Sequence, residues 1–402
     1  MKYVFVVNRP EEPVPEGARP FAELLDPKIR ERYDDSFLDE LKTDPWNMWE
    51  LMSSGGTMAL PKFTVDCARN WLQMVCKNWA DGLTATRFDT VMCFGSLNGG
   101  TGRGQGVCVP LISGAKVIFL TEHSDENALR LTKEERVTIW GGSPVISSRL
   151  ATHPDFEKYS ASLRAVISGG APLPSGVAER LWEKGIKTCP IWGISEATVA
   201  TYVSLPEDSK EDCIYTVGRP IQGHDYKIID PAGNELPLGE MGEIIVWSPH
   251  YGVYKAPEIN RATFDENDYI HTGDIGIFNE RGCLTIIGRK KDMILRGGQN
   301  IWPSEIEEIL SKHPKVRQVA VVGMPDKIMG ERVCVYAVPA KEETITLEEI
   351  TAYLEERKVT KWKWPERLEI MNELPMASAG GKVRKEDLRK DVTEKLRREG
   401  KI

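Results

Sequence analysis

Paired cysteines are missing from this sequence. Its eight cysteines, at positions 67, 76, 93, 108, 189, 213, 283 and 334, are scattered, and neither a CxxC pair nor a Cys/His cluster with metal-ligand spacing occurs. That pattern disfavours a disulfide framework and a structural zinc site, and leaves reduced thiols in the cytoplasm as the expectation. Long hydrophobic runs are missing too. The amino end, MKYVFVVNRPEEPVPEG, has one apolar run of five residues, Tyr3 to Val7, before charges and prolines intervene. It is too short for the core of a signal peptide or for a membrane span. Positive charge is not in excess either. With 52 Lys and Arg against 60 Asp and Glu the net charge is −8, and the one Lys/Arg-rich stretch, KVRKEDLRKDVTEKLRREGK, is interleaved with acids. No nucleic-acid partner is expected from such a balance. Leu388, Val392 and Leu396 recur there every four residues, which predicts an amphipathic terminal helix with a solvated charged face.

What is present suffices for two domains: 402 residues with 41% hydrophobic content. Residues 1 to 52 read as a strand followed by a Pro-rich, acidic connector, and because a lone edge strand needs neighbours, further chain upstream is expected. From 89 to 187, apolar runs (VMCF, AKVIFL, VTIWG, LRAVISGG) alternate with helical stretches such as SGVAERLWEKG, the pattern of parallel strands with crossovers. From about 203 to 287 strands shorten and turn signals multiply, which favours an antiparallel β unit. After 290 come helix PSEIEEILSKH, strands QVAVVGM and RVCVYAVPA, helix TLEEITAYLEERK and strand RLEIM, a small α+β domain of ordinary size. The expected fold is therefore α/β. It has a large N-terminal domain, residues 1–289, with mostly parallel sheet layers and a small β-barrel-like unit, followed by a small mobile α+β domain, residues 290–402.

Four stretches carry candidate chemistry. SSGGTMALPK, Ser53 to Lys62, offers unobstructed backbone N–H groups at Gly55 and Gly56, hydroxyls at Ser53, Ser54 and Thr57, and the charge of Lys62, a set that suits a polyphosphate although GxxxxGK[ST] spacing is absent. ISGGAPLP, containing Gly170, Ala171 and Pro172, and IWGISEA, containing Trp192, Gly193, Ser195 and Glu196, each follow a predicted strand. Both should project from the carboxyl ends of neighbouring strands, where open α/β sheets bind ligands. There Trp192 is suited to stack on a flat base and Glu196 to hold Mg²⁺ beside phosphates, although taken singly a core tryptophan and a solvated glutamate are the commoner readings. In YIHTGDIG, Asp274 is suited to accept both hydroxyls of a ribose, with Arg289 in reach of the same sugar; a turn Asp that bonds its own backbone is the commoner alternative. In LPMASAGGKVRK, Lys382 follows small residues, as a mobile point charge for a transferring phosphoryl group would.

In order and spacing these stretches resemble the adenylate-forming superfamily of acyl-CoA synthetases, nonribosomal adenylation domains and firefly luciferase. The likeness runs from about Ser53 to the C-terminus, some seven-eighths of the chain. GRKKDMILRGGQNIWPSEIEE is similar to the family's hinge and the start of its mobile domain, and its wording is most like synthetases for medium-chain, alicyclic or aromatic acids. The resemblance implies Lys382, Glu196 and Thr57 as catalytic residues, Glu196 also as the metal ligand, Lys291 as the pivot, and Gly297 and Gly298 as the close approach for a pantetheine arm. It implies ATP, Mg²⁺ and CoA as reactants, a small-molecule carboxylic acid as substrate, and allows a homodimer. The implied reaction forms acyl-AMP and pyrophosphate, then a thioester and AMP. Acid-pocket residues are expected within 95–102, 140–145 and 168–170, among them Gly141, Gly142, Ser143 and Gly169.

Some features depart from the family pattern. The phosphate loop reads Gly56-Thr57-Met58 and is one residue longer before Pro61-Lys62, and only 52 residues precede it. A shortened paralogue that binds without turnover, and delivery to a carrier-protein thiol, are therefore alternative readings. GGTGRGQG, Gly99 to Gly106, is a weak dinucleotide-binding signal, because Gln105 stands where GxGxxG needs its third glycine.

Overall fold

Apolar side chains that alternate along short strands build the centre of the protein. The computed structural model describes residues 5–6, 13, 16, 19–20, 44, 46–54, 62–95, 97, 100–120, 124–142, 144–171, 173–194, 199–200, 208–249, 256–376 and 383–402. The chain divides into two units, Met1–Asn47 and Met48–Ile402. In the first, strand β1 (Phe5–Val6) has a parallel partner, β2 (Arg19–Pro20). The second opens on an antiparallel hairpin, β3 (Met48–Ser54) and β4 (Lys62–Cys67), whose register sets Ser54 opposite Lys62.

Five strands then form one parallel sheet in the order β6-β5-β7-β8-β9: β5 (Thr90–Cys93), β6 (Lys116–Phe119), β7 (Ile139–Gly142), β8 (Ala165–Gly169) and β9 (Lys187–Ile191). Successive residues of a strand point to opposite faces. Val91, Ile139, Ala165 and Ile167 therefore join Trp71, Val75, Trp79 and Val109 on one side, while Met92, Trp140 and Val166 join Leu129, Leu150, Phe156 and Leu181 on the other. Both faces are covered, as parallel sheets require. Burial of each such leucine is worth about 1.5–3 kcal/mol. The Gly-rich run does not form a phosphate-cradling loop over its described part, because Gly100–Arg103 is α-helical and Gly104–Cys108 π-helical. Its glycines allow close packing instead: a Cβ on Gly104 would lie 2.5 Å from the Trp79 ring, and one on Gly106 2.5 Å from Cys93 Sγ.

A second sheet is antiparallel and runs in sequence order: β12 (Asp225–Ile229), β13 (Gly242–Trp247), β14 (Ile270–Phe278) and β15 (Leu284–Arg289). In chain order a short pair comes between the two sheets, β10 (Gly193–Ile194) with β11 (Val199–Ala200). Tyr226, Ile228, Ile244, Val246 and Ile270 form the second core, against which Trp192 and Ile194 pack. The third sheet has β16 (Ile294–Arg296), β17 (Gln299–Ile301), β18 (Val316–Asp326), β19 (Gly330–Pro339) and β20 (Arg367–Ile370), in the order β17-β16-β19-β18 with β20 parallel to β19. Alternation along β19 works as before. Val333, Val335 and Ala337 face helices Pro303–Leu310 and Leu347–Glu356, while Cys334, Tyr336 and Val338 face Leu388, Val392 and Leu396 of the terminal helix Lys385–Arg398. A capping box, Thr346 with Glu349, starts the middle helix. All eight cysteines are buried, and none forms a disulfide.

Candidate functional site

Parallel pairing of β8 with β9 sets Gly169 opposite Ile191, so Gly170-Ala171 and Trp192-Gly193 leave the sheet side by side at its carboxyl edge. Gly170 turns the chain off the strand with a φ of +90°, a conformation that L side chains rarely adopt. Pro172, Ser195 and Glu196 lie outside the described residues.

The densest polar junction at this edge is Asp274. Register between β14 and β15 places it directly opposite Arg289, and opposite residues of an antiparallel pair sit close enough for their side chains to meet. Arg289 Nε donates to Asp274 Oδ1 at 2.8 Å, and Trp192 Nε1 donates to Oδ2 at 2.9 Å. Asp274 N donates to Thr272 Oγ1 at 3.0 Å. With only 3% of its surface exposed, the side chain needs such donors in place of water. Trp192 thus has its indole N–H bonded to Asp274, and its ring meets Tyr226 edge to face, 6.2 Å between centroids.

From Tyr226 a line of contacts continues to the β3–β4 hairpin. His224 stacks beside Tyr226 at 6.5 Å, its Nε2 donates to Asn70 Oδ1 at 2.7 Å, and Asn70 Nδ2 donates to Asp66 Oδ1 of β4 at 3.4 Å. Burial pushes the His224 imidazole down to about 4, so it is neutral at pH 7. Asn70, His224 and Tyr226 belong to none of the motifs read from the sequence. The one available signal was a lone histidine at the start of the strand DYKII.

A sequence profile of the AMP-binding enzyme matches residues 8–255, and one of the AMP-binding enzyme C-terminal domain matches residues 305–382. The chain belongs to the AMP-binding enzyme family. It is similar to a medium-chain fatty-acid–CoA ligase of Escherichia coli (strain K12), 32% identical over 350 residues, which are 86% of this chain and 61% of that protein. It is also similar to a mitochondrial medium-chain acyl-CoA ligase, ACSF2, of Danio rerio, 33% identical over 76% of this chain and 50% of the relative. The chain therefore spans less than two thirds of the length of these curated relatives. Among solved structures, ATP-bound MatB from Rhodopseudomonas palustris superimposes with a TM-score of 0.78 at 26% identity, covering 87% of this chain and 69% of that one.

The remaining candidate residues of this AMP-binding family chain lie on the hairpin and beyond β15. Ser53 and Ser54 end β3 and Lys62 begins β4, whereas Gly55, Gly56 and Thr57 between them lie outside the described residues, as does Lys382. Lys291 occupies a single 3-10 turn, Lys290–Asp292, that joins β15 to β16, and it is exposed. Arg389 of the terminal helix donates to Lys291 O at 3.3 Å and pairs with Asp292 Oδ1 at 3.0 Å. Gly297 and Gly298 form the turn between β16 and β17 with φ of +55° and +82°. Gly297 N donates to Met329 O at 2.7 Å, and a Cβ on Gly298 would meet nothing within 4 Å.

Asp208, Asp212 and Cys283 bring potential metal-ligand atoms within 4.8 Å of one another. Arg219, 2.6 Å from Asp208, and Arg281, 2.7 Å from Asp212, already balance those carboxylates. Among the described residues no helix is long and apolar enough to cross a membrane.

Proposed function

We propose that this chain uses ATP to convert a carboxylic acid into acyl-AMP and pyrophosphate, then passes the acyl group to the thiol of CoA. The Asp274 corner carries the reading. A carboxylate offers about four lone-pair sites, of which Arg289 and Trp192 take two, and the remainder suits the vicinal hydroxyls of a ribose. The solved relative contains ATP, and the curated relatives are named as CoA ligases of fatty or acyl substrates, which supports the nucleotide, the acid and the acceptor. Medium-chain, alicyclic or aromatic acids are the proposed substrates.

In the first step a carboxylate oxygen of the acid attacks the α-phosphorus and the bond to pyrophosphate breaks. Lys382 stabilises the charge that develops there, and Ser53, Ser54, the glycines 55 and 56, Thr57 and Lys62 hold the leaving phosphates. Glu196 is the proposed ligand of the Mg²⁺ that accompanies ATP, since carboxylate oxygen is the donor this hard cation prefers. In the second step the CoA sulfur attacks the acyl carbonyl, the thiol proton is released, and AMP leaves. Residues 290–402 are proposed to rotate about Lys291 between the steps, withdrawing Lys382 and presenting the face that holds Gly297 and Gly298.

A panel of carboxylic acids assayed for ATP-dependent pyrophosphate release by the purified chain tests the reading. Lys382→Ala should slow acyl-AMP formation on the order of 10²-fold or more, while thioester formation from supplied acyl-AMP stays largely intact. Silence with every acid would sink the activity, and equal loss in both half-reactions would remove Lys382 from its role.

A further inference from the structure

Gln105 sits in GGTGRGQG at the place where a dinucleotide fingerprint would have glycine, and neither the fold nor the proposed reaction accounts for it. It lies in the π-helical turn Gly104–Cys108 with 1% of its surface exposed, and neither Oε1 nor Nε2 has a hydrogen-bond partner among the described residues. The side chain rests on the parallel sheet over the carboxyl half of β7. A Cβ built on Gly141 would stand 3.1 Å from Gln105 Oε1, 3.3 Å from its Cβ and 3.7 Å from Ile167 Cγ2. The glycine at 141 thus leaves the space that the carboxamide fills, at the strand end where the sequence places the acid pocket.

A glutamine amide can make up to four hydrogen bonds, and burying it with none is unfavourable. Ser147 Oγ and Ser168 Oγ are also buried without partners, but each is a single rotatable hydroxyl and forfeits less. An apolar side chain of similar length would fill the same space without the penalty. A group that needs both a donor and an acceptor, and finds neither among the described residues, is suited to a ligand that brings them.

We propose that Gln105 is a specificity-determining residue of the acid pocket that hydrogen-bonds a neutral hydroxyl on the body of the substrate. The proposal rests on the adenylation reading and narrows it to a hydroxylated acid in place of a bare hydrocarbon one. A hydroxyl both donates to Oε1 and accepts from Nε2. Gly141, against which the amide packs, offers no charged side chain to balance a second carboxylate, which favours a neutral group.

Matched acids test it: benzoate against the ortho, meta and para hydroxybenzoates, and octanoate against its terminally hydroxylated form, each titrated calorimetrically into the full chain. The wild type should bind one hydroxylated acid on the order of 10²-fold more tightly than its bare partner, and Gln105→Met should abolish or invert that preference. In the absence of any acid, Gln105→Met should raise Tm by about 2 °C, because an orphaned buried amide is removed. A bare acid bound as tightly by the wild type, no binding of any acid, a preference that survives in Gln105→Met, or a fall in its ligand-free Tm would each overturn the assignment. Pyrophosphate release separates the two ideas. Hydroxyl-dependent binding without release from any acid supports Gln105 and sinks adenylation, whereas release without hydroxyl preference does the reverse.

Discussion

Asp274 and Lys291 are close in sequence but held in opposite ways. Asp274 is buried on a strand, receives Arg289 and Trp192 on its two oxygens, and is backed through Trp192 by Tyr226, His224 and Asn70. Lys291 is exposed in a one-turn connection, and its carbonyl accepts a long bond from Arg389. The first arrangement is over-determined, as the proposed recognition of a ribose would demand, because misplacing an acceptor by an ångström forfeits its contribution. The second is sparse. A joint that absorbs φ/ψ changes has to be drawn from the weakly held parts of a structure.

The largest effect should come from breaking the dense corner. Asp274→Ala removes the acceptor of Arg289 Nε and Trp192 Nε1, and because the Arg289 side chain is 44% exposed and can be solvated instead, the loss should cost about 1–3 kcal/mol. ATP affinity should fall about 10- to 100-fold as well, since a charge-assisted bond is worth roughly 1.5–3 kcal/mol. Denaturant melts and calorimetry with ATP read the two losses separately. Unchanged ATP affinity in a folded Asp274→Ala would remove this residue from the nucleotide site.

Next is the support behind the corner, which pH reaches. His224 has its folded pKa pushed down to about 4 by burial, against an ordinary value near 6.5. Between those values the unfolded chain binds a proton that the folded chain refuses, so this contribution is fully present above pH 6.5 and is lost as pH falls toward 4. The difference amounts to about 3 kcal/mol. His224→Phe should flatten the stability slope over that window and leave it unchanged above pH 7. A slope of equal steepness in the variant would assign the acid sensitivity to other groups.

Much of this was legible in the sequence, and the reason is local. Val91, Met92 and their counterparts alternate with period two, and Leu388, Val392 and Leu396 repeat with helical period, so strands and helices follow from neighbours in the chain. The bond from Trp192 to Asp274 spans 82 positions and that from His224 to Asn70 spans 154. No periodicity carries information over such separations, which is why Trp192 reads as a stacking residue in sequence but also anchors a carboxylate in space. The π-helical segments Arg69–Cys76 and Gly104–Cys108 were illegible for a different reason. Their glycine and tryptophan content reflects close packing, as Gly104 against Trp79 shows, and composition alone cannot tell such packing from a loop.

At the joint itself the expected effects are smaller and unequal between half-reactions. Lys291→Pro fixes φ near −65° and removes the N–H, so pyrophosphate exchange and thioester formation from synthetic acyl-AMP should change by different factors. Lys290→Ala is the control: Lys290, which pairs with Glu243 at 3.0 Å, is itself largely exposed, and neither step should move more than a few-fold. Equal slowing of both steps in folded Lys291→Pro would contradict rotation at this residue.

The smallest effect sharpens the comparison most, because it touches the joint without altering its backbone. Arg389 reaches from the terminal helix to Lys291 O and to Asp292, and the pair is partly exposed, so its loss should cost only about 0.5–1 kcal/mol. The helix itself stays seated, since Leu388, Val392 and Leu396 hold it on the third sheet. Arg389→Ala should therefore leave Tm within about 2 °C of the wild type. If the contact favours the orientation seen here over the alternative, its removal should shift the ratio of the two half-reaction rates by up to about fivefold. High salt applied to the wild type should mimic part of that shift by screening the Arg389–Asp292 pair. A ratio that is indifferent both to Arg389→Ala and to salt would mean that Arg389 has no part in biasing the joint, leaving the turn Lys290–Asp292 to set its balance alone.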